Sequence, residues 1–176
     1  MNITVYLGAS DGGNAKLGEA ACELGTWIGR SGNSLVYGGS KVGLMGKLAQ
    51  SALAAGADVT GVEPQFFIDQ DAQLDGLTRL IVTRDMAERK AKMIELGDAF
   101  VALPGGTGTL EEITEIMSRA ALELSDAPCI ICNLDGFYDS LKALLDHMVQ
   151  TGMTTPERLA NITFANSIAE VEQVLS

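Results

Sequence analysis

Short apolar runs alternate along the chain with longer segments in which apolar residues recur every three or four positions. The apolar runs are rich in Val, Ile, Leu and Ala, and they cover residues 3–7, 34–37, 58–62, 79–83, 98–103 and 128–132. Uninterrupted runs of this length are typical of strands that are buried on both faces. The periodic segments predict helices at about 14–30, 43–55, 85–96, 109–123 and 137–150.

This alternation favours a parallel sheet with helices on both faces, joined by right-handed crossovers. We therefore predict a Rossmann-like, doubly wound α/β fold, with a single domain that spans residues 1–176. Ligands bind such sheets beyond the carboxyl ends of the strands. Residues 63–78 fit no periodic element and are expected to form a loop over that region. The tail predicts a short strand at 162–164 and a helix at 167–175.

The charge balance argues against several kinds of partner. The chain carries 12 Lys and Arg against 23 Asp and Glu, which gives a net charge of -11. Such a charge opposes binding to DNA, RNA and anionic membranes, because affinity for a polyanion comes from clustered Lys and Arg. No signal peptide is evident, and no apolar run approaches the roughly 20 residues that span a bilayer. The cytoplasm is therefore the expected location.

The cysteines and the single histidine do not complete a reactive site. An odd number of cysteines, three, argues against a disulfide framework. Cys129 and Cys132 form a C-x-x-C inside an apolar run, so core packing is favoured over redox or metal chemistry. His147 lies in a predicted helix, where a surface or interface position is favoured over catalysis. We therefore expect no metal and no cofactor.

Residues 101–112, Val-Ala-Leu-Pro-Gly-Gly-Thr-Gly-Thr-Leu-Glu-Glu, are the most informative stretch. An apolar run stops at Pro104, turns through three glycines and restarts as a helix whose first turn carries acid. Glycines let backbone N–H groups approach a ligand closely, and the unpaired N–H groups and positive dipole of a helix start favour phosphate. The segment predicts an anion site with a carboxylate beside it.

A second turn of this kind lies upstream, in Leu35-Val-Tyr-Gly-Gly-Ser-Lys-Val-Gly-Leu-Met-Gly46. Two such turns in one small domain suggest a phosphorylated ligand held between them. Neither turn matches the Walker lysine motif or a clean G-x-G-x-x-G fingerprint. The missing Walker lysine argues against a triphosphate hydrolase and favours a monophosphate or diphosphate.

Two charged segments near these turns allow both a structural and a functional interpretation. Thr109-Leu-Glu-Glu112 matches a capping box, in which Glu112 would only reach back to the N-cap amide. Alternatively, Glu112 or its neighbour Glu111 faces the glycine turn. The run Asp85-Met-Ala-Glu-Arg-Lys-Ala-Lys-Met93 is typical of a solvated helix face, yet its position gives Arg89 access to the same crevice. The residues alone leave these alternatives open.

Taken together, these segments resemble the signatures of a known family. Three motifs match in order and spacing: Tyr37-Gly-Gly-Ser-Lys-Val-Gly-Leu-Met-Gly46, Met86-Ala-Glu-Arg-Lys90 and Pro104-Gly-Gly-Thr-Gly-Thr-Leu-Glu-Glu112. They are similar to those of the LONELY GUY (LOG) proteins, cytokinin riboside 5'-monophosphate phosphoribohydrolases that were often labelled possible lysine decarboxylases. The resemblance, which runs from Ile3 to about Gly152, implies hydrolysis of a nucleoside 5'-monophosphate, a cytokinin nucleotide or AMP, to free base and ribose 5-phosphate.

By this resemblance, Arg89 and Glu112 fall on the family's catalytic pair. The glycine turns would anchor the 5'-phosphate, and Ser118 and Asp71 fall where relatives contact the ligand. The substrate-binding residues implied are Lys90, Gly105, Gly106, Thr107, Gly108, Thr109, Glu111, Ser118, Asp71, Gly39, Ser40 and Gly43. Ser40 departs from a more usual glycine, and Gly97 from a more usual serine.

The resemblance also implies a homodimer or a larger homo-oligomer. One alternative function remains open, that of a non-hydrolytic carrier or sensor of a phosphorylated nucleotide or pterin cofactor, because a fold does not by itself imply catalysis. A pyridoxal phosphate decarboxylase is disfavoured, since it needs a Schiff-base lysine and a partner for the pyridine ring, and nothing in the sequence marks either group.

Overall fold

Seven strands form one sheet in a computed structural model that describes residues 1–176. The strands are β1 (Asn2–Tyr6), β2 (Ser34–Tyr37), β3 (Val59–Pro64), β4 (Arg79–Thr83), β5 (Ala99–Ala102), β6 (Cys129–Cys132) and β7 (Ile162–Ala165). Their order across the sheet is β4-β3-β2-β1-β5-β6-β7, and every pairing is parallel. All of the predicted strands are present, and the Rossmann-like α/β prediction is confirmed.

Seven helices connect or follow these strands. They are α1 (Ala15–Arg30), α2 (Gly43–Ala54), α3 (Gln65–Ile68), α4 (Met86–Leu96), α5 (Thr107–Ala121), α6 (Asp139–Gln150) and α7 (Ile168–Leu175). Polar side chains cap three of them, because Asn14, Asp85 and Ser167 each accept a hydrogen bond from a backbone N–H in the first turn. No helix is both long and apolar enough to cross a membrane.

The core is divided between the two faces of the sheet. Alternate residues of each strand point to opposite faces, so that Ile3 and Val5 of β1 pack on one side while Tyr6 packs on the other. Helices α1, α2 and α7 cover the first face, and α4, α5 and α6 cover the second. Both faces are therefore dry, as the uninterrupted apolar runs predict.

The prediction of a loop at residues 63–78 is partly wrong. Glu63 and Pro64 continue β3, and Gln65–Ile68 form the short helix α3. The charge of Glu63 interrupts the apolar pattern, although the side chain is only 2% exposed. Residues 69–78 are irregular, as expected, and they lie beside the turn after β2, where the Leu74 N–H donates to the Gly39 carbonyl at 2.9 Å.

The sheet changes direction between β1 and β5. The chain builds outward from β1 through β2, β3 and β4, and then returns to place β5, β6 and β7 on the other side. The segments that leave β1 and β5 consequently separate above this point, which is where ligands bind in open α/β sheets. The Gly8 N–H donates to the Pro104 carbonyl at 3.2 Å and closes the base of the crevice.

Candidate active site

Helix α5 begins with free backbone donors at the edge of this crevice. Gly106 is the N-cap and supplies no side-chain cap. The Leu110 N–H donates to the Gly106 carbonyl at 3.1 Å, so the N–H groups of Thr107, Gly108 and Thr109 precede the first hydrogen bond of the helix. These donors and the positive end of the helix dipole favour an anion.

The helix begins two residues earlier than predicted, which decides between the interpretations of Glu112. Thr109 is the third helical residue and not the N-cap, so the capping-box interpretation is wrong. The first turn carries no acidic residue, which corrects the expectation of acid beside the phosphate donors. Glu111 and Glu112 lie in the second turn, beyond the residues whose N–H groups precede the first hydrogen bond of the helix.

Glu112 forms a buried ion pair with Arg89. The Arg89 Nη1 donates to the Glu112 Oε1 at 2.7 Å, and each side chain is only 9% exposed. The Arg89 Nε also donates to the Val62 carbonyl at 2.9 Å. Arg89 is therefore not part of a solvated helix face, and the structure brings the two predicted catalytic side chains into direct contact.

Gly38 provides the space for the Arg89 guanidinium. A Cβ atom at this position would collide with the Arg89 Nη2. Gly105 has a comparable role on the other side of the crevice, because a Cβ there would collide with the Thr109 Oγ1 and come within 2.9 Å of the Gly8 N. These two glycines are needed for close packing, as their place in the glycine turns predicts.

Burial dominates the electrostatics of the pair. Burial raises the pKa of Glu112, and the charge and hydrogen bond of Arg89 act in the opposite direction. The nearby Tyr6 is also buried, and its pKa is raised far above the usual value by desolvation and by the charge of Glu112. The site thus places a carboxylate in a poorly solvated environment, held by a single guanidinium.

Lys90 lies next to this pair but has different partners. The Lys90 Nζ is 2.7 Å from the Glu111 Oε1 and 3.2 Å from the Glu115 Oε2. The hydrogen bond that Lys90 donates to Glu111 is the main reason that the pKa of Lys90 is raised. Glu111 is 60% exposed, in contrast to Glu112, so only Glu112 is enclosed beside the glycine turn.

A cavity of about 320 Å³ lies over these groups. Of the predicted site residues, Arg89, Gly106, Thr107, Gly108, Thr109, Glu111 and Glu112 line it. Its apolar wall contains Met45, Phe67, Met86 and Met93. The contribution of Phe67, from α3, agrees with the expectation that the 63–78 segment covers the site.

Other predicted ligand contacts lie outside the cavity wall, namely Gly39, Ser40, Gly43, Asp71, Lys90, Gly105 and Ser118. Asp71 is 80% exposed, and its Oδ2 is 2.7 Å from the Lys41 Nζ. Ser118 is exposed on α5, almost two turns beyond Glu112. Gly43 packs against the Ala9 carbonyl, so it joins the start of α2 to the loop after β1.

Sequence reasoning missed Tyr6, the methionine and phenylalanine wall, and Glu63. Tyr6 ends a strand, and its position at the carboxyl edge of β1 was the available signal. No comparable signal exists for Met45 and Phe67, because an apolar residue in a helix usually faces a core. Glu63 is a charged residue that directly follows an apolar run, and that position is the signal for a buried carboxyl at the edge of the sheet.

The cysteines and the histidine lie away from this site. Cys129 and Cys132 are buried free cysteines in β6, and burial raises the pKa of each to about 12. His147 is exposed on α6, at the kind of position expected for it. No group of three or more His, Cys, Asp or Glu side chains in residues 1–176 is arranged to hold a metal ion.

The structure is thus an α/β fold in which the uncapped start of α5 lies beside a buried Arg–Glu pair. Solved structures share this fold, among them the molybdenum cofactor binding protein from Rippkaea orientalis, which has a TM-score of 0.73 and 22% identity, covering 99% of this chain and 94% of that one. The Moco carrier protein from Chlamydomonas reinhardtii aligns at a TM-score of 0.75 and 21% identity, over 99% and 94% of the two chains. Likeness at this identity shows the fold alone.

Sequence comparison defines the family. A family model described as possible lysine decarboxylase matches residues 45–175. The chain is 43% identical to a cytokinin riboside 5'-monophosphate phosphoribohydrolase of Rhodococcoides fascians, over 95% of this chain and 85% of the relative. It is 37% identical to the phosphoribohydrolase LOG1 of Arabidopsis thaliana, over 98% and 81% of the two chains. The chain therefore belongs to the LONELY GUY family of cytokinin riboside 5'-monophosphate phosphoribohydrolases.

Proposed function

We propose that this protein hydrolyses the N-glycosidic bond of nucleoside 5'-monophosphates, cytokinin nucleotides or AMP, and releases the free base and ribose 5-phosphate. The observation that carries the proposal is the buried contact of Arg89 with Glu112 beside the uncapped start of α5. The free N–H groups proposed to bind the phosphate and the Glu112 carboxylate lie a few residues apart on the same helix, and both line the cavity. Relatives at 43% and 37% identity carry the name of this activity.

Glu112 supplies the charge that the reaction needs. Breaking the N-glycosidic bond builds positive, oxocarbenium-like charge on the sugar. An ionised carboxylate in a poorly solvated cavity stabilises that charge strongly, and it can orient or deprotonate the attacking water. Arg89 favours the ionised form of Glu112, since the guanidinium opposes the larger effect of burial, which raises the pKa of this carboxyl. It also holds the carboxylate at a fixed place in the cavity.

The α5 terminus would bind the 5'-phosphate. The N–H groups of Thr107, Gly108 and Thr109 can donate to its oxygens, and both threonines line the same cavity. Binding energy at the phosphate then positions the sugar against Glu112. The apolar wall, which includes Met45 and Phe67, is left for the base. We therefore expect the unphosphorylated nucleosides to be poor substrates.

The residues do not fit a pyridoxal phosphate decarboxylase. A Schiff-base lysine must lose its proton to react, and enzymes favour this by lowering its pKa. Lys90, the lysine beside the Arg89–Glu112 pair, is bound by Glu111 and Glu115, and its pKa is raised. Its ammonium is therefore stabilised in the charged form, which is the opposite of what that chemistry requires.

The decisive experiment compares four substrates with the wild type and two variants. AMP, N6-isopentenyl-AMP and their nucleosides are incubated with each protein, and the free base and ribose 5-phosphate are followed by chromatography. We expect release from the monophosphates and a loss of about 10²-fold or more in Glu112→Gln. Glu95→Gln is the control, because this exposed carboxylate pairs only with Lys92 on the surface.

Two results would contradict the proposal. Turnover by Glu112→Gln close to that of the wild type would remove Glu112 from the mechanism. Tight binding of the monophosphates without product over hours would favour the carrier alternative. The circular dichroism of Glu112→Gln must match that of the wild type, so that a loss of activity is not a loss of fold.

We also propose that the protein works in the cytoplasm as a homodimer or a larger homo-oligomer, with Asp71 and Ser118 as ligand contacts. The family resemblance supports the assembly and the two ligand contacts. Light scattering of the purified protein coupled to size-exclusion chromatography tests the assembly, and a molar mass equal to that of one 18.5 kDa chain would contradict it.

A further inference from the structure

Glu63 is a buried carboxyl that the proposed reaction does not use. It lies near the end of β3 and is 2% exposed. Its Oε2 is enclosed and has no hydrogen-bond partner. A buried polar atom without a partner is destabilising, and more strongly so if it is charged. Such a group in a folded protein therefore calls for an explanation.

The surroundings of Glu63 connect it to the proposed active site. A Cβ on Gly39 would lie 2.9 Å from the Glu63 Oε2, so the carboxyl packs directly against this glycine. The preceding glycine, Gly38, packs against the Arg89 Nη2. Arg89 also bonds the carbonyl of Val62, the residue before Glu63. The Glu63 carboxyl and the Arg89 guanidinium thus pack against two consecutive glycines of one turn.

Arg89 is consequently near two buried carboxyl groups on different elements, and it contacts that of Glu112 directly. Glu112 approaches it from α5 at 2.7 Å. Glu63 acts on it from β3 through charge, since Arg89 lowers the pKa of Glu63 while burial, the larger effect, raises it to about 7. The other titratable group beside Glu63 is Tyr37 on β2, whose pKa is raised by burial and then by the charge of Glu63.

We propose that Glu63 is a positioning residue of this site, which acts through Arg89 by competing with Glu112 for the charge of the guanidinium. The proposal rests on the phosphoribohydrolase function proposed above. When Glu63 is protonated, Arg89 neutralises Glu112 and the three groups are neutral in sum. When Glu63 is ionised, the three groups carry one net negative charge, and more of the charge of Glu112 faces the cavity.

Ionisation of Glu63 should therefore speed turnover and weaken substrate binding. The additional negative charge stabilises an oxocarbenium-like sugar, so kcat rises when Glu63 ionises. The same charge repels the 5'-phosphate, so KM rises as well. Both changes belong to the neutral range of pH, because that is where the pKa of about 7 places the ionisation of Glu63.

The test compares the wild type with Glu63→Gln and Glu63→Met from pH 6 to 8.5. Neither variant can ionise, and Gln keeps the shape of the side chain while Met removes its hydrogen-bonding groups. The values of kcat and KM for AMP are measured by base release. Binding of ribose 5-phosphate is measured by calorimetry, since this ligand undergoes no turnover. Glu95→Gln, which removes an exposed carboxylate on α4, is the matched control.

We expect the ratio of wild-type kcat to that of either variant to rise about threefold to tenfold across this range. A charge whose effect on the reacting groups is worth up to about one pKa unit changes the rate by up to about tenfold. The ratio of the dissociation constants for ribose 5-phosphate should rise in the same way. The ionisation of free ribose 5-phosphate cancels in this ratio, because the same ligand is used with each protein. The ratios for Glu95→Gln should stay constant.

The possible failures are distinct. An active wild type whose ratio to Glu63→Gln is constant with pH would overturn the role of Glu63 and leave the hydrolase proposal intact, because a merely structural residue lowers activity by the same factor throughout. A wild type that neither binds ribose 5-phosphate nor releases base would overturn the hydrolase proposal, and the role of Glu63 with it.

Discussion

At the scale of the residue, the site depends on a charge pair that is unfavourable to bury. Removing Arg89 and Glu112 from water is strongly unfavourable, and their attraction offsets this only in good geometry. The pair has that geometry, with a contact of 2.7 Å and a second hydrogen bond from Arg89 to the Val62 carbonyl. A buried ion pair is weak evidence for a role in stability, and its position in a cavity wall favours a role in chemistry.

Replacing Arg89 by Lys should separate charge from geometry. Lys keeps a positive charge, but a single ammonium cannot reach the Val62 carbonyl and the Glu112 Oε1 in the way that the guanidinium does. We expect a fall of about tenfold or more in kcat, on the scale of one lost charged hydrogen bond. Arg84→Lys is the control, because Arg84 is 86% exposed and pairs only with Glu88. Equal activity of both variants in the base-release assay would show that charge alone suffices.

At the scale of the element, the start of α5 determines both the phosphate site and the position of Glu112. The segment from Thr107 to Thr109 has low helix propensity because of its glycine and threonines, and Thr109 with Glu112 imitates a capping box. Both features place the predicted start at residue 109. In the structure the helix instead begins at Thr107, where tertiary contacts hold it, since Glu112 bonds Arg89 and Gly105 packs against Thr109. The Arg89–Glu112 contact joins residues 23 positions apart and cannot be read from local pattern.

Gly108→Ala should stabilise the protein while weakening the binding of substrate. Gly108 is the second residue of α5, no atom lies within 4 Å of the position that an added Cβ would take, and its φ is not in the left-handed region. Alanine should therefore raise the free energy of unfolding by about 0.5–1 kcal/mol. The same methyl group projects beside the N–H groups of the cavity wall and should raise KM for AMP about tenfold, the loss of roughly one hydrogen bond.

Urea denaturation and steady-state kinetics measure the two effects of Gly108→Ala separately. Thr114→Ala is a suitable control, since Thr114 lies further along α5 and its hydroxyl only bonds the Leu110 and Glu111 carbonyls. This control should leave KM unchanged. A Gly108→Ala protein with the KM of the wild type would argue that the phosphate does not bind at the start of α5.

At the scale of the whole molecule, strand order explains why much of the site could be predicted. The motifs at residues 37–46, 86–90 and 104–112 follow β2, β4 and β5, and parallel strands bring their carboxyl ends to one edge. Sequence therefore predicts that Arg89 and Glu112 share a crevice. It shows Glu63 only as a charged residue at the end of an apolar run, and it does not show which element that carboxyl faces. Nor does it show that Asp71 pairs with Lys41, since that contact depends on how the 69–78 segment crosses the β2 turn.

The stability of the whole molecule should report the ionisation of Glu63 without any substrate. Folding raises the pKa of Glu63 from 4.5 to about 7, so the folded state binds its proton more tightly than the unfolded state. The contribution of this group to stability is complete below pH 4.5 and is lost as pH rises through 7. Between pH 5.5 and 8.5 the wild type should lose about 2 kcal/mol relative to Glu63→Gln. Urea denaturation of both proteins at both pH values measures the difference. If the difference in unfolding free energy between the wild type and Glu63→Gln is the same at both pH values, the carboxyl of Glu63 keeps an ordinary pKa despite its burial.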